Sequence, residues 1–102
     1  MTTTLASAFE RLKELPFPAF AENDELADWQ ADLCEFDGHV AGIAITILAG
    51  GKADVTAIPE RIDELRQRLE TMADVPPEDR DIVIRSQQYL TALEEVVQNM
   101  IP

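Results

Sequence analysis

The spacing of apolar residues predicts an all-α fold, an antiparallel up-down bundle of about four helices formed by residues 1–102 as a single domain. Three observations carry this. Apolar side chains recur at alternating steps of three and four along the longer segments, which marks one buried stripe per helix. Prolines and a glycine pair punctuate the chain between those segments, at Pro16 and Pro18, Gly50-Gly51 and Pro76-Pro77. The connections left over are short, and short connections make successive helices antiparallel neighbours.

The first helix is expected over 4–15. Threonines 2 to 4 offer capping oxygens, and Leu5, Phe9 and Leu12 share one face. Pro16 and Pro18 stop it, because each lacks an amide donor and disfavours helix in the residue before it. Pro16 to Phe20 then reads as an extended strap, its two phenylalanines capping one end of the core.

The second helix, 23–49, opens at Asn23, with Asp24 and Glu25 where the positive end of the helix dipole favours acids. Leu26, Trp29, Leu33, Phe36, Val40, Ile43 and Ile47 follow in unbroken heptad phase. Gly38 and Gly42 weaken helix propensity without disturbing that phase, so one continuous helix is expected rather than a break at Asp37-Gly38. Gly50-Gly51 ends it. Its second half carries no charge from Val40 to Gly51, and a helix apolar all round is expected to be buried all round, by its neighbours or by a second copy.

The third helix, 57–72, places Ile58, Ile62, Leu65, Leu69 and Met72 on one face, with Asp54 or Thr56 as cap and Pro59 tolerated in the first turn. Its outer face carries Asp63–Arg66, Arg61–Glu64 and Glu64–Arg68 spacings suited to local ion pairs. The fourth, 77–99, has one seam in Ile82, Tyr89, Leu93, Val96 and Met100, with Val83, Leu90 and Val97 beside it. Ser86, Gln87 and Gln88 make its middle more polar. The second and fourth helices are the long members.

Acids outnumber bases by 20 to 8, for a net charge of −12. That balance argues against direct nucleic-acid binding, which needs clustered Lys and Arg, and against an anionic membrane surface. The longest uncharged apolar run, Val40 to Gly51, is too short to span a bilayer. One cysteine, Cys34, cannot form an intramolecular disulfide, and the N-terminus lacks the pattern of a signal peptide. A cytoplasmic protein is expected.

Lys and Arg are absent from Glu14 to Gly51, where eight acids occur. Glu25, Asp28, Asp32 and Glu35 lie at steps of 3, 4 and 3, forming an acidic stripe beside the apolar seam of the second helix. The functional reading is a docking strip for a basic protein; the plain one is a solvated face, or one neutralised by Arg61, Arg66, Arg68 or Arg85.

A carboxylate metal centre would use the same residues, but its Glu-x-x-His motif is missing, since Glu35 and His39 are four apart and His39 is the sole histidine. That pair suits an i,i+4 contact instead. Cys34 reads as a small core residue. Gly38 to Gly42 matches G-x-x-x-G, which favours close helix contact. Gly50-Gly51-Lys52 lacks the spacing of a phosphate loop, and one histidine supports no Ser/His/Asp triad.

These features point to a non-enzymatic interaction protein without a cofactor. It is expected to be a homodimer and to act as an inhibitor, antitoxin or immunity-type binder of a basic protein through Glu25, Asp28, Asp32 and Glu35. The alternative is a self-assembling structural homo-oligomer using Val40, Ile43, Ile45 and Ile47. A carboxylate metal-binding helical protein stands third.

Overall fold

The computed structural model describes residues 4–72 and 76–101. Among them are four α-helices, α1 (Leu5–Glu14), α2 (Asp24–Leu48), α3 (Ile58–Glu70) and α4 (Arg80–Met100), and no strand. A short 3₁₀ turn, Pro77–Asp79, leads into α4. Thr2 and Thr3, offered above as caps, lie outside the described residues.

Each helix begins and ends for a local reason. Thr4 caps α1: its hydroxyl accepts from the Ser7 amide and the Ser7 hydroxyl accepts from the Thr4 amide, both at 3.1 Å. Asn23 caps α2 by accepting from the Leu26 amide at 3.0 Å. At the other end Gly50 turns left-handed (φ 87°), a conformation that glycine reaches without the Cβ penalty. The Gly51 amide then donates to the Thr46 carbonyl and the Gly50 amide to that of Ile47, a Schellman closure. Asp54 does not cap α3. It instead accepts from the Thr56 amide and hydroxyl in a turn just ahead of the helix, which starts from Ala57.

Cross-helix contacts give the direction of each helix. Trp29 and Asp32, early in α2, reach Leu65 and Arg68, late in α3. Arg66 meets Glu94, while Pro59 and Ile62 lie beside Val97 and Ile101. Arg11 of α1 pairs with Glu95, and Phe17 just beyond α1 meets Tyr89. Successive helices are therefore antiparallel, and α1 closes the ring against α4. Along the diagonal α2 also touches α4.

The second helix runs unbroken through Gly38, and at about 1.5 Å per residue its 25 residues make it about 37 Å long. That nearly spans the 44 Å long axis of the molecule. Its heptad seam is the core: Leu26, Trp29, Leu33, Phe36 and Val40 are essentially inaccessible, packed with Phe9 and Leu12, with Ile58, Ile62, Leu65 and Leu69, and with Leu90, Leu93 and Val96.

The uncharged half of α2 is not buried all round. Ile45 is 59% exposed and Leu48 47% exposed, while Val40, Ile43 and Ala44 are buried. With only 10 residues in α1 and 13 in α3, the neighbours are too short to sheathe it. Cys34 also departs from expectation. It is exposed, because it sits one position past the Leu33 seam and nothing packs over it.

Candidate functional site

Glu25, Asp28, Asp32 and Glu35 are all exposed along one flank of α2, and Asp32 and Glu35 border α3. Spacings of three and four residues bring them to one side because each residue turns the helix by about 100°. Arg68 crosses from α3 to Asp32 at 2.9 Å, and both side chains stay about half exposed. Arg61 places its guanidinium 5.3 Å from the centre of the Phe36 ring. Between the two helices lies a shallow depression of about 190 Å³, lined by Asp32, Glu35, Phe36, Arg61, Leu65 and Arg68.

The stripe is therefore partly neutralised. Asp32 is paired, whereas Glu25, Asp28 and Glu35 meet no cation among the described residues. The arginines of α3 do not make the local pairs that their spacing suggested. Arg66 reaches Glu94 and Arg68 reaches Asp32, so these bridges tie helices together rather than decorate one face. No ion pair joins Glu35 to His39, which is exposed.

Of the four residues proposed for self-association, Val40 and Ile43 lie in the monomer's own core and Ile47 is half-buried against it. Ile45 alone is free for a second copy, with Leu48 beside it and Gly38 and Gly42 on an open surface. Among the described residues no group of three or more His, Cys, Asp or Glu side chains is placed to hold a metal ion, so the carboxylate-metal reading gains no support from the geometry.

Two polar features escaped the sequence. Gln30 is completely buried, and its side-chain amide clamps the strap: the Ala21 amide donates to its Oε1 and its Nε2 donates to the Ala19 carbonyl, both at 2.8 Å. Asp37, half-buried, lies beside Tyr89 of α4. Burial pushes the Asp37 carboxyl above its ordinary range, and the neighbouring Tyr89 hydroxyl pulls it partly back. The same burial, reinforced by the neighbouring carboxylate, holds the Tyr89 hydroxyl protonated far above its usual range.

The two expected packing residues do pack. Tyr89 is 7% exposed and Trp29 fully buried, with its indole N–H donating to the Leu65 carbonyl at 2.8 Å. Phe17 meets Tyr89 edge-on at 5.1 Å between ring centres and is half-buried. Phe20 does not cap the core as expected: it is 56% exposed, because the Gln30 clamp fixes the backbone on either side of it.

Compared with protein-family models, curated proteins and solved structures, the chain matches none. No helix among the described residues is long and apolar enough to cross a membrane.

Proposed function

We propose that this bundle is a non-enzymatic binding protein that docks a basic protein along the α2 flank. One observation carries the reading. Glu25, Asp28 and Glu35 stay exposed and make no ion pair among the described residues, Glu35 even though it shares a depression with Arg61 and Arg68. Like charges spaced this closely on a helix repel by a few tenths of a kcal/mol per pair. A partner's Lys or Arg side chains would relieve that repulsion, and the field of a chain at −12 would speed their approach. An inhibitor, antitoxin or immunity-type role fits such a surface. The lone cysteine favours a cytoplasmic setting.

The test is capture from lysate of the source cells, eluted with a salt gradient, by the native chain and by the triple variant E25Q/D28N/E35Q. A basic protein that elutes at moderate salt and is lost by the variant is the expected result. Retention by the variant, or elution that ignores salt, would sink the reading.

The exposure of Ile45 and Leu48 favours a second reading, a homodimer joined through the end of α2. Ile45→Asp should then convert a dimer to a folded monomer in sedimentation. A native chain that is monomeric at high concentration would end this alternative.

A further inference from the structure

Two residues on from Glu35, and so roughly 200° around α2, the helix presents a different surface. A cleft of about 370 Å³ opens there between α1, the strap, α2 and α4, its lining including Phe9, Lys13, Phe17, Asp37, Ala41 and Tyr89. Its size falls within the range of small-molecule sites, roughly 300–1,000 Å³. Such sites are mostly apolar with a few polar groups that fix orientation, and here those groups are Asp37, Tyr89 and Lys13.

Asp37 decides what the cleft can accept. Among the described residues no ion pair reaches this half-buried carboxylate. A carboxylate has about four acceptor positions, and the only neighbouring hydroxyl in the cleft lining is that of Tyr89. An anionic ligand would be repelled. A neutral apolar ligand would strip more water from the carboxylate and return nothing. A cation on an apolar body satisfies both halves of the surface.

The rings suit it as well. Phe17 and Tyr89 pack at 69°, which leaves their rings to cover an apolar stem, while the Phe9 face is taken by the Lys13 ammonium at 5.0 Å. Lys13 lines the cleft too, but its ammonium pairs with Glu10 at 2.7 Å and not with Asp37, which offsets its repulsion of a bound cation.

We propose that this cleft binds an organic ammonium on a compact apolar or aromatic body, held by Asp37 with the rings of Phe17 and Tyr89 covering the stem. The inference is independent of the docking strip, which lies on the other flank of α2.

The test is a titration of the ¹⁵N-labelled full chain with phenethylammonium, and with neutral 2-phenylethanol, at fixed ionic strength. Saturable amide shifts confined to Phe9, Asp37, Ala41, Tyr89 and their neighbours are expected, with the alcohol at least about tenfold weaker because it cannot replace the charged hydrogen bond. D37N should lose about tenfold or more in affinity. E70Q, which makes the same change in net charge at the exposed end of α3, should bind like the native chain. The comparison of ammonium with alcohol needs no variant to fold. Absence of saturable shifts, equal binding of the alcohol, or equal losses in D37N and E70Q would overturn the proposal. Nα-acetyllysine N-methylamide separates the two sources of such an ammonium: tighter binding than phenethylammonium marks a lysine of another protein, weaker binding a free amine.

Discussion

Gln30→Met is the sharpest test of how the strap is held. Methionine is as long and unbranched as glutamine and nearly as good in a helix, so the change removes two hydrogen bonds while keeping volume and backbone preference. The partners fare differently. The Ala21 amide sits in a buried bond and, left unpaired, costs its desolvation, about 1–3 kcal/mol. The Ala19 carbonyl is only part-buried and can recover a water, so its loss is nearer the net value of about 0.5–1.5 kcal/mol. Together the variant should lose about 1.5–4.5 kcal/mol, a large share of the ~5–15 kcal/mol available to a small domain.

Urea unfolding gives the magnitude, read as a lower midpoint at unchanged slope. Hydrogen exchange gives the location. The Ala21 amide should lose protection first, and by more than core amides of α2, because the strap can open without unfolding the bundle. A loss under about 0.5 kcal/mol, below the floor set by even one net hydrogen bond, would refute the clamp. Equal loss of protection at Ala21 and at Leu33 would refute its locality.

Two further outcomes follow from charge. Because burial raises the Asp37 carboxyl in the folded state, the folded chain holds that proton more tightly than the unfolded one. The stability this adds is full below the unfolded value near 3.8 and is lost as pH rises through the folded value. Asp37→Asn, which carries no titrating proton, should gain on the native chain through that window and be at least as stable at neutral pH; thermal melts at several pH values check it, and a variant that loses ground with rising pH refutes it. Arg68→Gln removes an exposed pair and should cost at most ~1 kcal/mol. By freeing Asp32 it should also speed association with a basic partner at low salt, measured by stopped flow; a slower rate would contradict the stripe's role.

The core was legible because heptad phase is a property of the chain alone. Leu26, Trp29, Leu33, Phe36 and Val40 recur in register, and all are buried. The acids at 25, 28, 32 and 35 were legible as exposed for the same reason, lying beside that seam. Gln30 was not, because whether its flank meets water depends on where the strap returns, and polar type gives no sign of that. Arg66 shows the matching limit on charge, while the Arg68 pairing with Asp32 is one the sequence had offered for the stripe. Sequence spacing enumerates partners within a helix, but Arg66 reaches a carboxylate across the bundle, on α4. Ser86, expected to make α4 more polar, is wholly buried with its hydroxyl unpaired, a placement that only the neighbouring helices decide.

The length mismatch between helices sets which surfaces are left for function. A helix of about 37 Å flanked by helices of about 15 and 20 Å cannot be covered along its whole length. What stays uncovered at the C-terminal end of α2 is uncharged, while its opposite, N-terminal half is acidic. This separates two substitutions at residues that were both candidates for self-association. Ile43 is 9% exposed and belongs to the monomer's core, so Ile43→Asp would bury a charge and unfold the chain whether or not it self-associates. Ile45, at 59% exposed, contributes little to the monomer, so Ile45→Asp reports on association alone. A variant at 45 that unfolds the chain would mean that the end of α2 is part of the core after all, and that its stability is inseparable from the contact it makes with a second copy.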